Sequence, residues 1–429
     1  MNIIQMLESF NFLLAVLFTT IYIYQLGYLC MGLVRRKGWH MPNAHRYHRY
    51  AAVICARNEA GVIGNLIESL KQQNYPKEYL DIYVVADNCT DQTARISRRA
   101  GAIVYERFNQ KQKGKGYALD FLFHTLEREG RDVYDGYMIF DADNLVDPQF
   151  TAEMNKVFDS GKYAAITCYR NSSNFGANWI SAGYAIWFLR EARFLNFPRM
   201  MLGSNCHVSG TGFLVSAEVI RENGGWPYHL LTEDIEFSVG CALKGRRIGY
   251  CDKAVIYDEQ PTTFKQSWDQ RMRWSKGFYQ VNSNYSARLL RNFFTTKPSL
   301  KSWSCYDMFV TVAPGMLLTL ALIAFNAALC LVCMLGPDYM IPRVVQVSTQ
   351  FILGTVFNFY LGLLLYGLLT VLCEWKQIQI PGYKKLLYVF TFPIFMFTYI
   401  PISLSALVRK VDWTPIYHSG NRTVLRKAS

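Results

Sequence analysis

Charged residues are scarce in this chain: Asp, Glu, Lys and Arg form only 18% of its 429 residues, against about 25% in a soluble domain. Four windows contain no charged side chain at all, namely 9–34, 308–337, 344–373 and 386–408. A helix that spans a bilayer needs about 20 apolar residues, so all four windows are long enough. The first window lacks the basic start and the small-residue cleavage site of a signal peptide, and we expect it to be retained.

The chain also lacks the signatures of several soluble protein classes. It contains neither GxGxxG nor GxxxxGK[ST], which disfavours a dinucleotide dehydrogenase and a P-loop NTPase. Its 11 cysteines are scattered, without the spacing of a disulfide framework, and this pattern predicts a reducing environment. A transporter or scaffold without enzymatic activity is disfavoured, because the apolar windows carry no charged residue.

Positive charge is in excess, with a net charge of +13. Part of the excess lies beside the apolar windows, at Arg35, Arg36, Lys37, Lys384, Lys385, Arg409 and Lys410. Because positive residues flank the cytoplasmic ends of membrane helices, we expect contact with membrane lipids rather than nucleic-acid binding. The pattern predicts a multi-pass protein of the plasma (inner) membrane, with the N-terminus outside and the large charged region in the cytoplasm.

Charge and hydrophobicity together divide the chain into five segments. We expect an N-terminal transmembrane helix with a basic juxtamembrane segment (1–45), a large cytosolic domain (46–260), interfacial helices (261–306), transmembrane or re-entrant helices (307–410) and a cytosolic tail (411–429). Pro393 and Pro401 interrupt the last apolar window, and proline breaks a helix unless neighbours satisfy the freed carbonyl groups. One hypothesis is therefore that this window re-enters or folds as two half-helices, which leaves the tail inside.

Apolar strands alternate with helical segments in the cytosolic domain, which predicts an α/β fold with parallel strands. Such sheets bind ligands beyond the carboxyl ends of their strands. Polar residues follow three of these strands, at Asn58 and Glu59, at Asp87, and at Asp141 and Asp143. A single strand-end Asp is often a loop cap, whereas acids at several ends of one edge predict a binding site.

Two acidic motifs suggest catalytic chemistry. In "DADN", Asp141 and Asp143 point the same way on an extended segment, which suits Mg²⁺ or Mn²⁺; a solvated turn is the alternative interpretation. In "LLTEDIEF", Glu233 and Asp234 precede a helix and include a candidate general base, although acids in a first helical turn also stabilise the helix dipole. The stretch "VSGTGFLVS" adds Gly210, Thr211 and Gly212, whose small size permits close approach of a ligand.

The segment "QRMRW" groups polar and aromatic side chains on one helix face. Gln270, Arg273 and Trp274 lie at spacings i, i+3 and i+4. A guanidinium beside an amide suits phosphate oxygens, and an indole suits a sugar ring. An interfacial amphipathic helix anchored by Trp274 is the structural alternative, and it is favoured if the segment is considered alone.

Asp87, "DADN", "TED" and "QRMRW", in this order, resemble the family 2 glycosyltransferases. More narrowly they resemble the membrane-embedded processive branch, which includes the cellulose, chitin, hyaluronan and poly-N-acetylglucosamine synthases. The motifs cover about residues 50–280, and the flanking apolar windows fit that branch. The resemblance implies a cytosolic GT-A nucleotide-sugar-binding domain, an α/β fold with a Rossmann-like mixed sheet, joined to transmembrane and interfacial helices.

The resemblance also implies roles for individual residues. The residues expected at the nucleotide and diphosphate are Ala56, Asn58, Glu59, Asp87 (at uracil), Lys115, Asp141, Asp143 (holding Mg²⁺ or Mn²⁺), Gln270 and Arg273. Asp234, beside Glu233, is expected to be the base, Gly210–Gly212 to approach the substrate, and Trp274 to contact the acceptor sugar. Trp413, Thr414 and His418 resemble a tail motif of some members and form a weak site candidate.

The expected function is processive, inverting β-glycosyl transfer. UDP-glucose or UDP-N-acetylglucosamine is polymerised into a polysaccharide that crosses the membrane. The expected partners are the UDP-sugar donor, the growing glycan, membrane lipids and accessory export proteins, with the oligomeric state left open. The alternative is a non-processive enzyme that adds one sugar to a lipid acceptor. The sugar and the linkage position depend on pocket shape, which the sequence does not specify.

Overall fold

The computed structural model describes residues 3–34, 41–333 and 341–411. The predicted basic flank at Arg35, Arg36 and Lys37 lies outside the described residues. So does the tail candidate formed by Trp413, Thr414 and His418.

The described residues form one eight-stranded mixed sheet with the strand order β3-β2-β1-β4-β7-β6-β8-β5. Its strands are β1 (Tyr50–Ala56), β2 (Leu80–Asp87), β3 (Ile103–Arg107), β4 (Gly136–Asp141), β5 (Leu145–Val146), β6 (Ala165–Ser172), β7 (Phe213–Ser216) and β8 (Ile248–Asp258). The first four strands are parallel, whereas β7 runs antiparallel to β4 and β6, and β5 runs antiparallel to β8. The predicted α/β fold with a mixed sheet is confirmed.

Helices cover the sheet and continue beyond it. They are α1 (Ile3–Tyr22), α2 (Tyr24–Val34), α3 (Ile63–Lys71), α4 (Thr93–Arg99), α5 (Lys115–Arg128), α6 (Phe150–Asp159), α7 (Trp179–Glu191), α8 (Phe197–Leu202), α9 (Ala217–Asn223), α10 (Glu233–Lys244), α11 (Phe264–Thr295), α12 (Leu300–Val312), α13 (Gly315–Cys333), α14 (Ile341–Cys373), α15 (Gly382–Phe397) and α16 (Tyr399–Val408). A π-helical turn, Ala192–Asn196, joins α7 to α8. The segment "QRMRW" lies in α11, as its spacing predicts.

The register of the parallel strands brings the predicted polar residues to one edge. β1 is an apolar run that is buried on both faces, as expected for a central parallel strand. Cys55 pairs with Asp141 of β4 and with Val85 of β2, so these strands end at nearly the same level. The loops after β1, β2 and β4 therefore meet at one edge of the sheet.

Four helical segments in the described part of the chain are long and apolar enough to cross a membrane, at Gln5–Tyr22, Gly315–Val332, Ile341–Cys373 and Gly382–Val408. The last segment comprises α15 and α16. Each segment overlaps one of the four windows without charge. Asn11 of α1 and Asn326 of α13 exchange two side-chain hydrogen bonds of 3.0 and 3.1 Å. Such buried amide pairs hold helices together where water is absent. Which helices cross the membrane, and in which direction, stays a prediction.

The last apolar window forms two helices separated by a break at Thr398. Pro393 is accommodated inside α15, and the break is stabilised by Arg271 of α11. Its Nη1 donates to the carbonyl oxygen of Phe395 at 3.1 Å and to Thr398 Oγ1 at 2.7 Å. These contacts join the window directly to the helix that carries "QRMRW", and whether the window spans the membrane or re-enters stays a prediction.

Candidate active site

A cavity of about 810 Å³ lies at the carboxyl edge of the parallel strands. It brings together most of the predicted site residues: Ala56, Glu59, Asp87, Lys115, Asp141, Asp143, Gly210, Glu233, Asp234, Gln270, Arg273 and Trp274 all line it. These residues come from loops and helices that are far apart in the sequence. The sheet edge, α10 and α11 therefore converge on one site.

Three predicted residues support the wall instead of lining the cavity. Asn58, with a positive φ of 58°, accepts a hydrogen bond from the Thr90 amide at 2.8 Å and joins two strand-end loops. The Thr211 hydroxyl accepts from the Asp141 amide at 2.8 Å. A Cβ atom at Gly212 would lie 2.5 Å from Cys168 Sγ, so only glycine fits this packing.

Asp87 is buried in an ion pair that the sequence did not indicate. Arg107 Nη1 donates to Asp87 Oδ1 at 2.7 Å, and both side chains are only 7% exposed. Asn88 Nδ2 donates to the same oxygen at 2.9 Å. Among the described residues Oδ2 has no hydrogen-bond partner, so it is the oxygen available to a ligand.

Lys115 provides a positive charge at the centre of the site. Its Nζ lies 2.5 Å from Asp141 Oδ1 and 2.6 Å from the Gly210 carbonyl oxygen. Burial opposes the charge, but the attraction of Asp141 and then Glu233 outweighs it, so the pKa of Lys115 lies above its ordinary value. The ammonium group is thus held ready for an anionic ligand.

Asp143 lies in a region of crowded negative charge. Burial, followed by the charges of Asp258 and Asp141, raises the pKa of Asp143 well above its ordinary value. Asp258 is fixed in turn by Arg170 Nε at 3.0 Å and by Asn144 Nδ2 at 2.7 Å. A hard divalent cation relieves such crowding and prefers carboxylate oxygens, so the residues fit Mg²⁺ or Mn²⁺.

A cation at Asp143 would not be enclosed by protein ligands. The residues that the structure describes contain no group of three or more His, Cys, Asp or Glu placed to hold a metal ion. Mg²⁺ commonly keeps several coordination positions for water and phosphate oxygens, with one or two carboxylates from the protein. The donor set suits that open kind of site.

Glu233 and Asp234 begin α10 and face the DxD motif across Gly210. A Cβ atom at Gly210 would lie 3.7 Å from Asp234 Oδ2 and 3.9 Å from Asp141 Oδ2. Burial, followed by the charge of Asp234, raises the pKa of Glu233 to about 8, and burial raises the pKa of Asp234. Carboxylates with raised pKa values are suited to accept protons near neutral pH.

We expect Glu233→Gln to keep the acid limb of the pH profile and to remove any change near pH 8. A base works only when deprotonated, so kcat/KM of the wild type should rise with pH through the raised pKa of Asp234. Glu233, whose pKa is about 8, is still neutral while Asp234 ionises, and glutamine is neutral as well. The acid limb of kcat/KM, measured from pH 5 to 9, should therefore keep its position. A displaced acid limb would mean that Glu233 rather than Asp234 is the base.

Glu233→Gln should also make the protein more stable than the wild type at high pH. The pKa of Glu233 is about 8 in the folded protein against an ordinary value of 4.5. Its contribution to stability is therefore complete below pH 4.5 and is lost as the pH rises through about 8. Above pH 8, Glu233→Gln should unfold at a higher temperature than the wild type, which a thermal melt in detergent measures.

The segment "QRMRW" has one side that lines the cavity and another that is buried in the protein. Gln270, Arg273 and Trp274 line the cavity, whereas Arg271 is fully buried against the break between α15 and α16. Trp274 packs edge-on against Tyr184, with ring centres 5.7 Å apart. The Gln270 Oε1 atom is buried without a hydrogen-bond partner in the described part of the chain, which calls for a donor such as a ligand hydroxyl.

A buried network behind Gly210 was missed by the sequence analysis. Arg199 Nη1 lies 2.6 Å from His207 Nδ1, and His207 Nε2 lies 3.2 Å from Glu191 Oε1. Burial opposes ionisation of Glu191, but His207, the Ser209 hydroxyl and Arg170 outweigh it and lower its pKa to about 2. No local pattern marks these residues, because they are brought together only by the packing of α7, α8 and the loop before β7.

The cavity continues from the carboxylates to the apolar helices. The residues that line this end are Tyr22, Gln25, Gly315, Met316, Leu317, Asn358, Phe359, Gly362, Leu363, Tyr366, Tyr399 and Ser403. They belong to α13, α14 and α16 and to the junction between α1 and α2. A polar site and an apolar compartment therefore share one space.

Comparison with known proteins gives a consistent family. The family described as "Glycosyltransferase like family 2" matches residues 48–277. A "Beta-monoglucosyldiacylglycerol synthase" of Synechocystis sp. is 25% identical over 244 residues, 56% of this chain and 50% of that protein. A "Poly-beta-1,6-N-acetyl-D-glucosamine synthase" of Staphylococcus aureus is 27% identical over 254 residues, 57% of this chain and 56% of that protein.

The chain spans about half the length of these curated relatives. Among solved structures, a mannosyltransferase from Pyrobaculum calidifontis in complex with GDP-Man and Mn²⁺ matches with a TM-score of 0.59 and 17% identity. The match covers 94% of this chain and 99% of that one. At this identity the likeness concerns the fold.

Proposed function

Because this chain belongs to glycosyltransferase family 2, we propose that it transfers a sugar from a UDP-sugar, with inversion, to a hydroxyl of a membrane lipid. The observation that carries the proposal is the single cavity that joins the carboxylate site to the apolar helices. A water-soluble donor reaches the polar end, and a lipid reaches the apolar end.

The polar end has the parts that a nucleoside diphosphate sugar needs. Asp87 Oδ2 accepts a hydrogen bond from the imide of uracil, while Arg107 holds the other oxygen. Lys115 and Arg273 lie where they balance the charge of the diphosphate. The solved neighbour carries a nucleotide sugar in the same fold class, which supports this placement.

Asp143 and Asp141 are the residues that would hold a divalent cation. When bound, Mg²⁺ or Mn²⁺ neutralises the charge that develops on the leaving diphosphate. The Mn²⁺ in the solved mannosyltransferase supports this assignment. Lys115, which already contacts Asp141 Oδ1 at 2.5 Å, stabilises the same charge from the protein side.

Asp234 is the proposed base. Its carboxylate takes the proton from the acceptor hydroxyl as that oxygen bonds to the anomeric carbon and the bond from this carbon to the diphosphate breaks. The attack occurs opposite the leaving group and therefore inverts the anomeric configuration. Burial and the charge of Asp234 raise the pKa of the neighbouring Glu233 to about 8, and Gln270 Oε1 accepts from a sugar or acceptor hydroxyl.

The membrane end of the cavity offers a surface on which a lipid can lie. Met316, Leu317, Phe359 and Leu363 are apolar and suit hydrocarbon, and they lie beside polar side chains such as Asn358. The proposed lipid acceptor is also supported by the similarity to the β-monoglucosyldiacylglycerol synthases.

Processive polymer synthesis is the second candidate, and the sequence motifs placed it first. It is favoured by Trp274, which lines the cavity against Tyr184 and Phe188 and offers a sugar-stacking platform. The similarity to a poly-N-acetylglucosamine synthase supports it as well. Under both candidates we place the catalytic domain in the cytoplasm and the N-terminus outside the plasma membrane.

Product size distinguishes the two candidates. The purified full chain is incubated with UDP-glucose, UDP-N-acetylglucosamine or UDP-galactose, a divalent cation and mixed lipid vesicles, and UDP release is measured. We expect release that depends on the cation and a lipid-extractable product carrying one sugar. A polymer that resists lipid extraction would replace the lipid acceptor with the processive reaction. Release that is unaffected by chelation would contradict the metal assignment.

A further inference from the structure

Arg190 is a cation in the cavity wall that forms no salt bridge within the described part of the chain. It lies near the end of α7, is half-buried and lines the cavity. Its guanidinium carbon lies 4.9 Å from the ring centre of Trp187 and 5.0 Å from that of Tyr366. Across the ranges 3–34, 41–333 and 341–411, no side chain forms an ion pair with it and no group accepts a hydrogen bond from it.

Three other cations of the cavity, in contrast to Arg190, each have an ion-pair partner. Arg170 pairs with Asp258, Arg199 with Asp307, and Lys115 with Asp141. Glu191, the carboxylate next to Arg190, already accepts from Ser209 and contacts His207.

The surroundings of Arg190 make an anionic partner favourable. Burial lowers the pKa of Arg190, and the interactions with Tyr366 and Glu191 offset only part of this effect. Arginine nevertheless stays protonated. The two rings orient the guanidinium by cation–π contact and leave its edge free for bidentate binding of phosphate.

Arg190 lies at the boundary between the polar and apolar parts of the cavity. On the polar side, Glu191 follows Arg190 in the chain and accepts a hydrogen bond from Ser209. Gly210 follows Ser209 and lies beside Asp234 Oδ2. On the other side Tyr366 leads to Leu363 and Phe359, one and two turns along α14. The order from base to cation to apolar surface matches an amphiphile with a hydroxyl, an anionic group and hydrocarbon tails.

We propose that Arg190 binds the phosphate of a glycerophospholipid whose headgroup hydroxyl accepts the sugar. This inference rests on the proposed lipid acceptor and narrows it to an anionic lipid of the phosphatidylglycerol type. The hydroxyl reaches Asp234, the phosphate pairs with Arg190, and the acyl chains lie against α13 and α14. A neutral diacylglycerol would leave Arg190 without its partner.

The test compares an anionic and a neutral acceptor in the purified full chain. Dioleoylphosphatidylglycerol and dioleoylglycerol are each titrated in mixed micelles, and UDP release and glycosylated lipid are measured. We expect Arg190→Gln to raise the KM for dioleoylphosphatidylglycerol about tenfold, equal to about 1.4 kcal/mol, with a smaller effect on kcat and on the KM for dioleoylglycerol. Arg190→Lys, which keeps the charge, should recover part of this loss.

The control variant is Arg128→Gln, at the exposed end of α5, which should match the wild type with both lipids. The proposal is overturned if Arg190→Gln impairs both lipids equally, or if the wild type glycosylates only dioleoylglycerol. In those cases lipid glycosylation itself still stands. If the wild type glycosylates neither lipid and forms polymer instead, both the lipid acceptor and the role of Arg190 are wrong.

Discussion

Asp234→Asn should nearly abolish sugar transfer, with kcat reduced about 10³-fold, within the range that a general base contributes. The amide has the size of the carboxylate but cannot take a proton from the acceptor hydroxyl. Asp234 lies across Gly210 from Asp141, and the ammonium group of Lys115 pairs with Asp141 rather than with Asp234, so the donor site should remain intact. The KM for the UDP-sugar should therefore change less than about threefold, which separates a chemical defect from a binding defect.

The matched control is Asp269→Asn, an exposed residue of α11 that pairs with Lys265. It makes the same chemical change outside the cavity and should retain wild-type turnover. Both variants are compared by UDP release and by incorporation of labelled sugar, after folding is verified by thermal melting. Turnover of Asp234→Asn within tenfold of the wild type would assign the base to another group, and Glu233 would be the first to test.

Local sequence patterns predicted the sheet because each strand of its parallel half carries its own signal. β1 reads as a short apolar run that ends at polar residues, and the same is true of β2 and β4. Parallel register then brings Ala56, Asp87 and Asp141 to one edge, whatever the details of the loops. The convergence of these residues on one cavity follows from strand order alone.

Contacts between distant segments were not predictable in this way. Arg107 of β3 pairs with Asp87 of the neighbouring strand β2, and Arg170 of β6 pairs with Asp258 of the neighbouring strand β8. Neither arginine differs locally from a surface arginine. The role of Arg271 was not predictable either. It is the residue next to Gln270, yet it stabilises the break between α15 and α16. Helical spacing indicates which residues share a face, but only packing decides which face meets the ligand.

The second large effect concerns the buried pair of Arg199 and Asp307. Both side chains are 1% exposed, and Arg199 Nε and Nη2 donate to the two carboxylate oxygens at 2.7 and 2.9 Å. Tyr24 and Tyr28 of α2 donate to the same carboxylate at 2.8 and 3.1 Å. The pair thus joins α8, α12 and the N-terminal helix α2 at the wall of the catalytic cavity.

Asp307→Leu should destabilise the protein by about 3–5 kcal/mol, because it leaves the Arg199 charge buried and unpaired. Arg199→Met should have a similar effect from the other side. The double variant Arg199→Met/Asp307→Leu removes both charges and should lose less stability than either single variant. Unfolding midpoints in detergent give the comparison, and the exposed pair Lys265→Met/Asp269→Leu is the control, expected to cost less than about 1 kcal/mol.

The relation between the single and double variants decides what the pair contributes. A double variant as unstable as the singles would mean that lost packing and lost tyrosine hydrogen bonds, rather than an unpaired charge, cause the damage. If each single variant is as stable as the control Lys265→Met/Asp269→Leu, the pair of Arg199 and Asp307 does not hold these helices together. Because Arg199 also contacts His207, which contacts Glu191 behind Ser209, we further expect the single variants to lose turnover at temperatures well below their unfolding midpoints.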